Sequence, residues 1–191
     1  MANLKDSGER TAYETGAVRD CKEGKGRCDL MPLDILADLM KCDVLAKIHE
    51  FKVTGDIEHL YTAIRLFIHD NAMIAGDADC WGMLLEVAKH FEDGAKKYGP
   101  NNWQRGIPIH SYIDSAVRHY MKYQAGWVDE PHDRAFIWNL ICCAWTMKHR
   151  REMDDFTDAK RPEGICADSC SDNRPFIKDA VNMGSTAKYG C

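Results

Sequence analysis

The chain has 191 residues, of which 45% are hydrophobic and 29% are charged, and its formal net charge is −5. This composition is typical of a globular protein with enough apolar residues for one core. No window approaches the roughly 18 to 20 consecutive apolar residues of a membrane helix, so we expect no membrane span. The mild acidity argues against sequence-independent nucleic-acid binding, and the start of the chain lacks the apolar segment of a secretion signal, which favours a cytoplasmic protein.

Nine cysteines are the unusual feature of the composition. Their odd number and irregular spacing argue against the disulfide framework of a small secreted protein. The pair Cys166 and Cys170 leaves a structural zinc site open, although the CxxC pattern of tetrahedral zinc sites is missing. Most of the others are interpreted as small buried hydrophobic residues, and Cys142 and Cys143 fit this interpretation best.

The first half of the chain changes from a polar segment to helices. Residues 1 to about 28 are polar and glycine-rich and are predicted to form a flexible arm. Apolar residues at helical spacing from Pro32 to Leu45 predict a first helix. A second helix is predicted over 56–75, after the break at Thr54 and Gly55, and a third over 79–98, before Gly99.

Two further helices are predicted in the second half. The fourth spans about 109–125, and the fifth runs from Pro131, which is favourable at a helix start, to about Met153. The fifth is apolar on nearly all sides, which predicts a central place in a bundle. No segment alternates apolar and polar residues convincingly enough for a strand, so the sequence predicts an all-α helical bundle followed by a polar tail.

Polar residues on the third helix divide into two groups. Glu86, His90 and Asp93 are predicted to face solvent, because they lie opposite the centre of the apolar stripe. Glu92 lies at the edge of that stripe, where its carboxylate can point into a groove between helices. Glu92 is therefore the candidate for chemistry on this helix.

The fourth and fifth helices each carry polar residues at their apolar stripes. Asp114 and His119 flank opposite edges of the fourth helix, and Arg118 is placed to pair with Asp114 four residues earlier. His132 and Asn139 lie two turns apart on the predicted inner face of the fifth helix, where polar groups need partners.

The start of the fifth helix is crowded with acidic and imidazole groups, namely Asp129, Glu130, His132 and Asp133. Acidic residues at this position are also favoured by the helix dipole, so the spacing alone leaves capping and metal binding equally open. Carboxylates and imidazoles that converge from facing helices form divalent-metal sites in bundles, and Mg²⁺ prefers carboxylate oxygens and substrate phosphates.

The segment after the third helix combines cations, amides and an aromatic ring: Lys96, Lys97, Asn101, Asn102, Trp103 and Arg105. Cations suit phosphates, an aromatic ring can stack on a base, and amides can bind polar edges. A nucleotide site is one interpretation, and an ordinary surface loop with a buried Trp is the other.

Four motifs stand in series along the chain: TGAVRD (15–20) with GKGRCDLMP (24–32), GAKKYG (94–99) with NW (102–103) and GIP (106–108), DSA (114–116) with RH (118–119), and DEPH (129–132) with WN (138–139). Their order and spacing, over about residues 15–148, resemble the phage dATP/dGTP diphosphohydrolase family (MazZ-like, N-terminal domain). Relative to shorter members, about 42–79 looks like an insertion. The domain bounds that follow are an arm at 1–14, a helical domain at 15–150 and a polar tail at 151–191.

The resemblance implies an all-α nucleoside triphosphate pyrophosphohydrolase fold related to the MazG group. It implies hydrolysis of dGTP or dATP to the monophosphate and pyrophosphate with Mg²⁺ or Mn²⁺, in phage nucleotide metabolism in the host cytoplasm. The EExxE and ExxD signature of the MazG group is absent, so its metal ligands cannot be transferred by position.

Site residues are assigned from the motifs and the helix positions together. The predicted metal ligands are Asp114, His119, Asp129, Glu130 and His132. The predicted catalytic residues are Glu92, Lys96 and Lys97. The predicted substrate-binding residues are Asn102, Trp103, Arg105, Arg118 and Asn139. Within this set, Lys96, Lys97 and Arg105 are expected to stabilise phosphate charge, and Asn102 and Trp103 to hold the base or sugar.

Other interpretations of the same residues remain. His119 with His132 and Asp133 is similar to part of an HD-type phosphohydrolase site, which would release tripolyphosphate or inorganic phosphate. A non-catalytic helical phage protein that binds a nucleotide or a partner is the third hypothesis. A homo-oligomer, as a dimer or tetramer, is a further hypothesis, because a small bundle often completes its groove with a partner subunit.

Overall fold

The computed structural model of the chain describes residues 8–21, 23–75 and 80–156. The described part is mostly helical, which confirms the predicted all-α class, and it adds one small two-stranded sheet. The strands are β1 (Arg10–Ala12) and β2 (Val18–Asp20). The helices are α1 (Leu33–Met40), α2 (Asp43–Thr54), α3 (Ile57–Ala75), α4 (Cys80–Tyr98), α5 (Ile109–Gln124) and α6 (His132–His149).

Helix α6 lies at the centre of the bundle, as its apolar surface predicts. It packs against α3, α4 and α5, and Phe136, Ile137 and Leu140 are fully buried on it. Cys142 and Cys143 are also fully buried, which confirms their interpretation as core residues. Because α5 and α6 pack along their lengths, polar residues on their facing sides come together inside the molecule.

The predicted first helix is two helices. Helix α1 ends at Met40, Lys41 adopts a left-handed conformation with φ of 50°, and α2 begins at Asp43. The apolar spacing continues through this break, so periodicity could not show it, and a left-handed residue other than glycine is hard to foresee. Helix α2 ends at Gly55, whose φ of 72° fits the predicted glycine break.

A β-hairpin replaces part of the predicted flexible arm. Strands β1 and β2 pair antiparallel, with Thr11 opposite Arg19. Asn102 fixes the hairpin to the bundle, because its side-chain amide accepts from the Val18 N–H at 2.9 Å and donates to the Val18 carbonyl at 2.8 Å. Strands of three residues are too short to show alternation, which is why the sequence pattern did not reveal them. The hairpin brings Arg19 against α5 and α6.

Other helix bounds differ from the predictions by a few residues. Helix α6 ends at His149, and the remainder of the predicted helix is a short 3₁₀ turn at Arg151–Met153. The segment predicted as an insertion contains α2 and α3, which contribute the buried side chains of Ile48, Phe51 and Phe67 to the core. The zinc hypothesis for Cys166 and Cys170 and most of the predicted tail lie outside the described residues.

None of the helices that the structure describes is both long enough and apolar enough to cross a bilayer.

Candidate active site

A cavity of about 940 Å³ lies between β2, α4, α5 and the segment that leads into α6. Its wall contains cations, aromatic rings and the polar ends of the facing helices. Among its lining residues are Arg19, Lys25, His90, Phe91, Trp103, Ser115, Arg118, His119, Lys122, Glu130, Trp138 and Asn139. The volume falls in the range of small-molecule sites, about 300–1,000 Å³.

At one end of the cavity, His119 of α5 meets His132 of α6 and Glu130 of the preceding loop. The Nδ1 atoms of the two imidazoles lie 3.0 Å apart. Glu130 Oε1 lies 3.7 Å from His119 Nδ1 and 3.6 Å from His132 Nδ1. These three residues are the group in the described part of the chain that could hold a metal ion together. We call them the His–Glu–His cluster.

The protonation state of His119 suits a metal ligand role. Burial, followed by the nearby His132, holds the pKa of His119 well below its usual range, so its imidazole is neutral. His132 Nε2 lies 2.8 Å from Asp129 Oδ1. In the tautomer that carries hydrogen on Nε2, this nitrogen donates a hydrogen bond to the Asp129 carboxylate, and Nδ1 offers its lone pair to an ion.

Asp129 lies outside the cluster, as a partner of His132. The hydrogen bond from His132 lowers the pKa of the Asp129 carboxyl, and so does Lys122. The Lys122 ammonium lies 3.3 Å from Asp129 Oδ2 and 3.6 Å from Glu130 Oε1. A carboxylate that orients a histidine ligand from behind is a common feature of metal sites. The predicted ligand Asp129 therefore occupies a supporting position.

The atomic spacing of the cluster fits one ion. Two ligand atoms bonded at about 2.0–2.1 Å to one ion lie about 2.9 to 3.4 Å apart, for bond angles between octahedral and tetrahedral. The nitrogen pair lies within this range at 3.0 Å, and the carboxylate oxygen needs a shift of a few tenths of an ångström. The cluster could therefore bind a divalent cation with little rearrangement.

Asp114 is placed away from the cluster. Its side chain is fully buried, accepts from the Cys28 backbone N–H at 2.7 Å, and pairs with the Arg118 guanidinium as the i,i+4 spacing predicts. Arg118 also donates to the carbonyls of Lys25, at 3.2 Å, and Gly26, at 3.0 Å. The pair thus holds the loop before α1 against α5, and Arg118 lines the cavity as part of that wall.

The cations predicted to bind phosphate lie outside the cavity lining. Lys96 pairs with Glu92 on the exposed side of α4, and this ion pair lowers the pKa of the Glu92 carboxyl and raises that of Lys96. Lys97 lies 2.7 Å from Asp20 Oδ2. Arg105 is exposed and donates to the Gly16 carbonyl at 3.2 Å. Of this predicted group, Glu92 reaches the cavity rim.

Two predicted substrate-binding residues line the cavity in different ways. Asn102 is buried, and its amide already bonds to both backbone groups of Val18. Trp103 packs edge-on against Phe91 at 5.6 Å and against Trp145 at 5.0 Å, and it presents part of its ring to the cavity. Trp103 thus presents an aromatic surface to the cavity, whereas Asn102 positions the hairpin.

The expected solvent exposure of His90 was wrong. Its side chain is buried, with a ring centroid 5.4 Å from that of Trp138, whereas Leu85 and Ala88 of the same helix are exposed. The side of α4 that is buried therefore differs from the predicted apolar stripe. It is displaced around the helix axis towards His90. Burial, followed by the charges of Arg134 and Arg19, lowers the pKa of His90 to about 4.

Arg19 is one of several cavity residues that the sequence did not assign to the site. Its Nη2 atom donates to Asn139 Oδ1 at 2.7 Å and to Ser115 Oγ at 3.2 Å. Asn139 is buried on α6, and its own Nδ2 donates to the Ala135 carbonyl. Arg19 belongs to the TGAVRD motif, and this membership was the available signal.

Comparisons with known proteins give one match. Residues 68–156, just under half of the chain, match the model of the family described as dATP/dGTP diphosphohydrolase, N-terminal. No curated protein and no solved structure matches the chain. The matched range includes α4, α5, α6 and the His–Glu–His cluster, and it begins within the segment predicted as an insertion. Over residues 68–156 the predicted resemblance to this family is confirmed.

Proposed function

We propose that this chain hydrolyses dGTP or dATP to the monophosphate and pyrophosphate, with a divalent metal ion held by His119, Glu130 and His132. The observation that carries the proposal is the convergence of these three side chains at one end of a cavity lined by cations and aromatic rings. The family match over the same helices supports a diphosphohydrolase-related activity.

The cavity offers complementary surfaces for the two halves of a nucleotide. The rings of Phe91, Trp103 and Trp138 provide apolar faces for a base. Arg19 and Lys25 provide positive charge for phosphates. A charged and an aromatic region within one cavity suit a ligand that is itself anionic at one end and planar at the other.

The donor set favours Mn²⁺ over Mg²⁺ within the predicted pair. Mg²⁺ binds oxygen ligands and keeps several waters, whereas the cluster offers two imidazole nitrogens and one carboxylate oxygen. A bound ion would lower the pKa of a water that attacks the α-phosphorus and would neutralise charge on the leaving pyrophosphate. Asp129 would keep His132 oriented, and Lys122 would partly neutralise the negative charge of Asp129 and Glu130.

The test is pyrophosphate release from dGTP and dATP by the full chain with Mn²⁺ or Mg²⁺. His119→Ala and Glu130→Gln each remove one donor, and each should lower the rate by at least about 100-fold. His69→Ala is the matched control, because His69 is exposed on α3. Full activity in both cluster variants would contradict the proposed metal site.

An HD-type phosphohydrolase is the second candidate, because His119 and His132 lie side by side as that interpretation requires. Asp133 is not part of the group formed by His119, Glu130 and His132. Tripolyphosphate together with the nucleoside, or inorganic phosphate, as the product would favour this candidate over the diphosphohydrolase.

A further inference from the structure

Arg19 is a positively charged residue of the cavity wall. In the described part of the chain, no carboxylate forms an ion pair with it. Its two hydrogen-bond acceptors, Asn139 Oδ1 and Ser115 Oγ, are neutral. The neighbouring Asp20 is paired with Arg10 and Lys97 instead. A partly buried charge without a counter-ion is unfavourable unless a ligand supplies the opposite charge.

The guanidinium is held in place by aromatic rings. It lies over the Tyr112 ring at 5.1 Å and over the Trp138 ring at 5.9 Å from the ring centroids. Tyr112 of α5 is fully buried, so packing as well as hydrogen bonds sets the position of the guanidinium. A group fixed in this way loses little conformational freedom when it binds a ligand.

Three nitrogen atoms of this wall lack a hydrogen-bond partner: Arg19 Nη1, His90 Nδ1 and Trp138 Nε1. Their side chains are neighbours, since the Trp138 ring contacts both His90 and Arg19. Buried polar atoms are almost always paired, so these three unpaired nitrogens leave hydrogen-bonding capacity unused in this wall. Arginine and tryptophan nitrogens can only donate, which specifies a ligand with several acceptor oxygens.

The position of Arg19 relative to the His–Glu–His cluster follows from the helices. Ser115, which accepts from Arg19, lies one turn before His119 on α5, which is about 6 Å along the helix axis. Asn139, the other acceptor, lies about two turns after His132 on α6. The guanidinium therefore contacts α5 and α6 about one to two helical turns from the cluster, on the same pair of packed helices.

We propose that Arg19 binds a phosphate group of the substrate's polyphosphate chain while the cluster holds the metal at a neighbouring phosphate. The assignment deepens the proposed function and rests on it for the identity of the substrate. A phosphate fits better than a neutral base edge, because only an anion compensates the charge. Arg19, in β2, therefore takes the phosphate-binding role that was predicted for Lys96, Lys97 and Arg105.

The experiment measures binding of two probes to the full chain by calorimetry: inorganic tripolyphosphate and 2′-deoxyguanosine. Arg19→Gln removes the charge and keeps an amide that can reach Asn139. It should weaken tripolyphosphate binding by about 10- to 100-fold and leave deoxyguanosine binding unchanged. Arg65→Met is the matched control for a lost surface charge, because Arg65 is exposed on α3.

Arg19→Lys covers the case in which the Gln variant does not fold. It keeps the charge but loses the planar, multiply donating group, so tripolyphosphate binding should fall by about tenfold with the fold retained. Unchanged tripolyphosphate affinity in the folded variants, loss of deoxyguanosine binding alone, or a wild-type chain that does not bind tripolyphosphate would each overturn the assignment. Tripolyphosphate binding that depends on Arg19, without hydrolysis of dGTP or dATP, would reject the proposed function and keep the anion site.

Discussion

The Nδ1 atoms of His119 and His132 lie 3.0 Å apart, although the two residues belong to different helices. Close packing of α5 on α6 produces this contact, and Asp129 fixes the orientation of the second ring from the other side. Because burial keeps His119 neutral, the two rings can lie close together without charge repulsion. The spacing of the two nitrogens would allow both rings to bind one ion.

The first prediction concerns the support of His132. Asp129→Asn keeps the size of the side chain but removes its charge, so His132 should be less firmly oriented and a poorer ligand. Mn²⁺ affinity should fall by about 10- to 100-fold, as is typical for partners of metal ligands. Calorimetric titration with Mn²⁺ measures the change. Asp70→Asn, at an exposed position on α3, is the control and should bind Mn²⁺ like the wild type.

The second prediction separates Asp114 from the metal site. Removing one partner of a buried ion pair leaves the other uncompensated, so Asp114→Ala should lower the free energy of unfolding by about 3 kcal/mol. The variant also loses the acceptor of the Cys28 N–H. Urea unfolding measures the stability. If Asp114 is a metal ligand instead, Mn²⁺ affinity of the folded variant will collapse, whereas our assignment predicts that it stays within about threefold.

The third prediction is a pH dependence caused by His90. Its pKa is about 4 in the folded protein and about 6.5 in the unfolded chain, so the unfolded state binds a proton first as the pH falls. The stabilising contribution is therefore present above about pH 6.5 and is lost progressively down to about pH 4, by an order of 3 kcal/mol.

Urea unfolding of the wild type and of His90→Gln over this pH interval checks the prediction. The Gln variant cannot titrate, so the difference in unfolding free energy between the two proteins should change with pH between the two pKa values. A difference that stays constant across the interval would contradict a buried neutral His90. His49→Gln, at a half-buried position on α2, is the control. It shows how much a histidine outside the cavity contributes to the change of the unfolding free energy with pH.

The fourth prediction treats Asn102 as a positioning residue. Its amide bonds to both backbone groups of Val18, next to Arg19. Asn102→Ala should loosen the hairpin and weaken tripolyphosphate binding by about tenfold, with little effect on deoxyguanosine binding. Calorimetry with the two probes measures both affinities. A larger loss for deoxyguanosine would show the direct base contact that the sequence analysis assigns to Asn102.

The fold class and most helix bounds follow from apolar spacing, because long helices with clear breaks at Gly55 and at Gly99 repeat the pattern several times. The β-hairpin and the break at Lys41 do not follow from it. The strands are only three residues long, and their stability comes from contacts made by Asn102, far along the chain. Local pattern cannot reveal elements that distant contacts hold together.

For the site, the sequence proposed Asp114, His119, Asp129, Glu130 and His132 as metal ligands. The structure brings His119, Glu130 and His132 together in one cluster. The sequence could not rank Asp114 against them, because both an ion pair and a metal site use a buried carboxylate on the inner side of a helix. It also left Arg19 out of the site, since an arginine in a short polar segment gives no periodic signal. Its importance appears only once β2 is packed against Asn139.

We propose that hydrolysis breaks the bond between the α- and β-phosphates of dGTP or dATP by attack of water at the α-phosphorus. The most direct test is hydrolysis by the full chain with Mn²⁺ in water labelled with heavy oxygen, followed by mass spectrometry of the separated products. Attack at the α-phosphorus predicts dGMP or dAMP that carries the label, together with unlabelled pyrophosphate. Label in pyrophosphate, or nucleoside with tripolyphosphate as products, would contradict it.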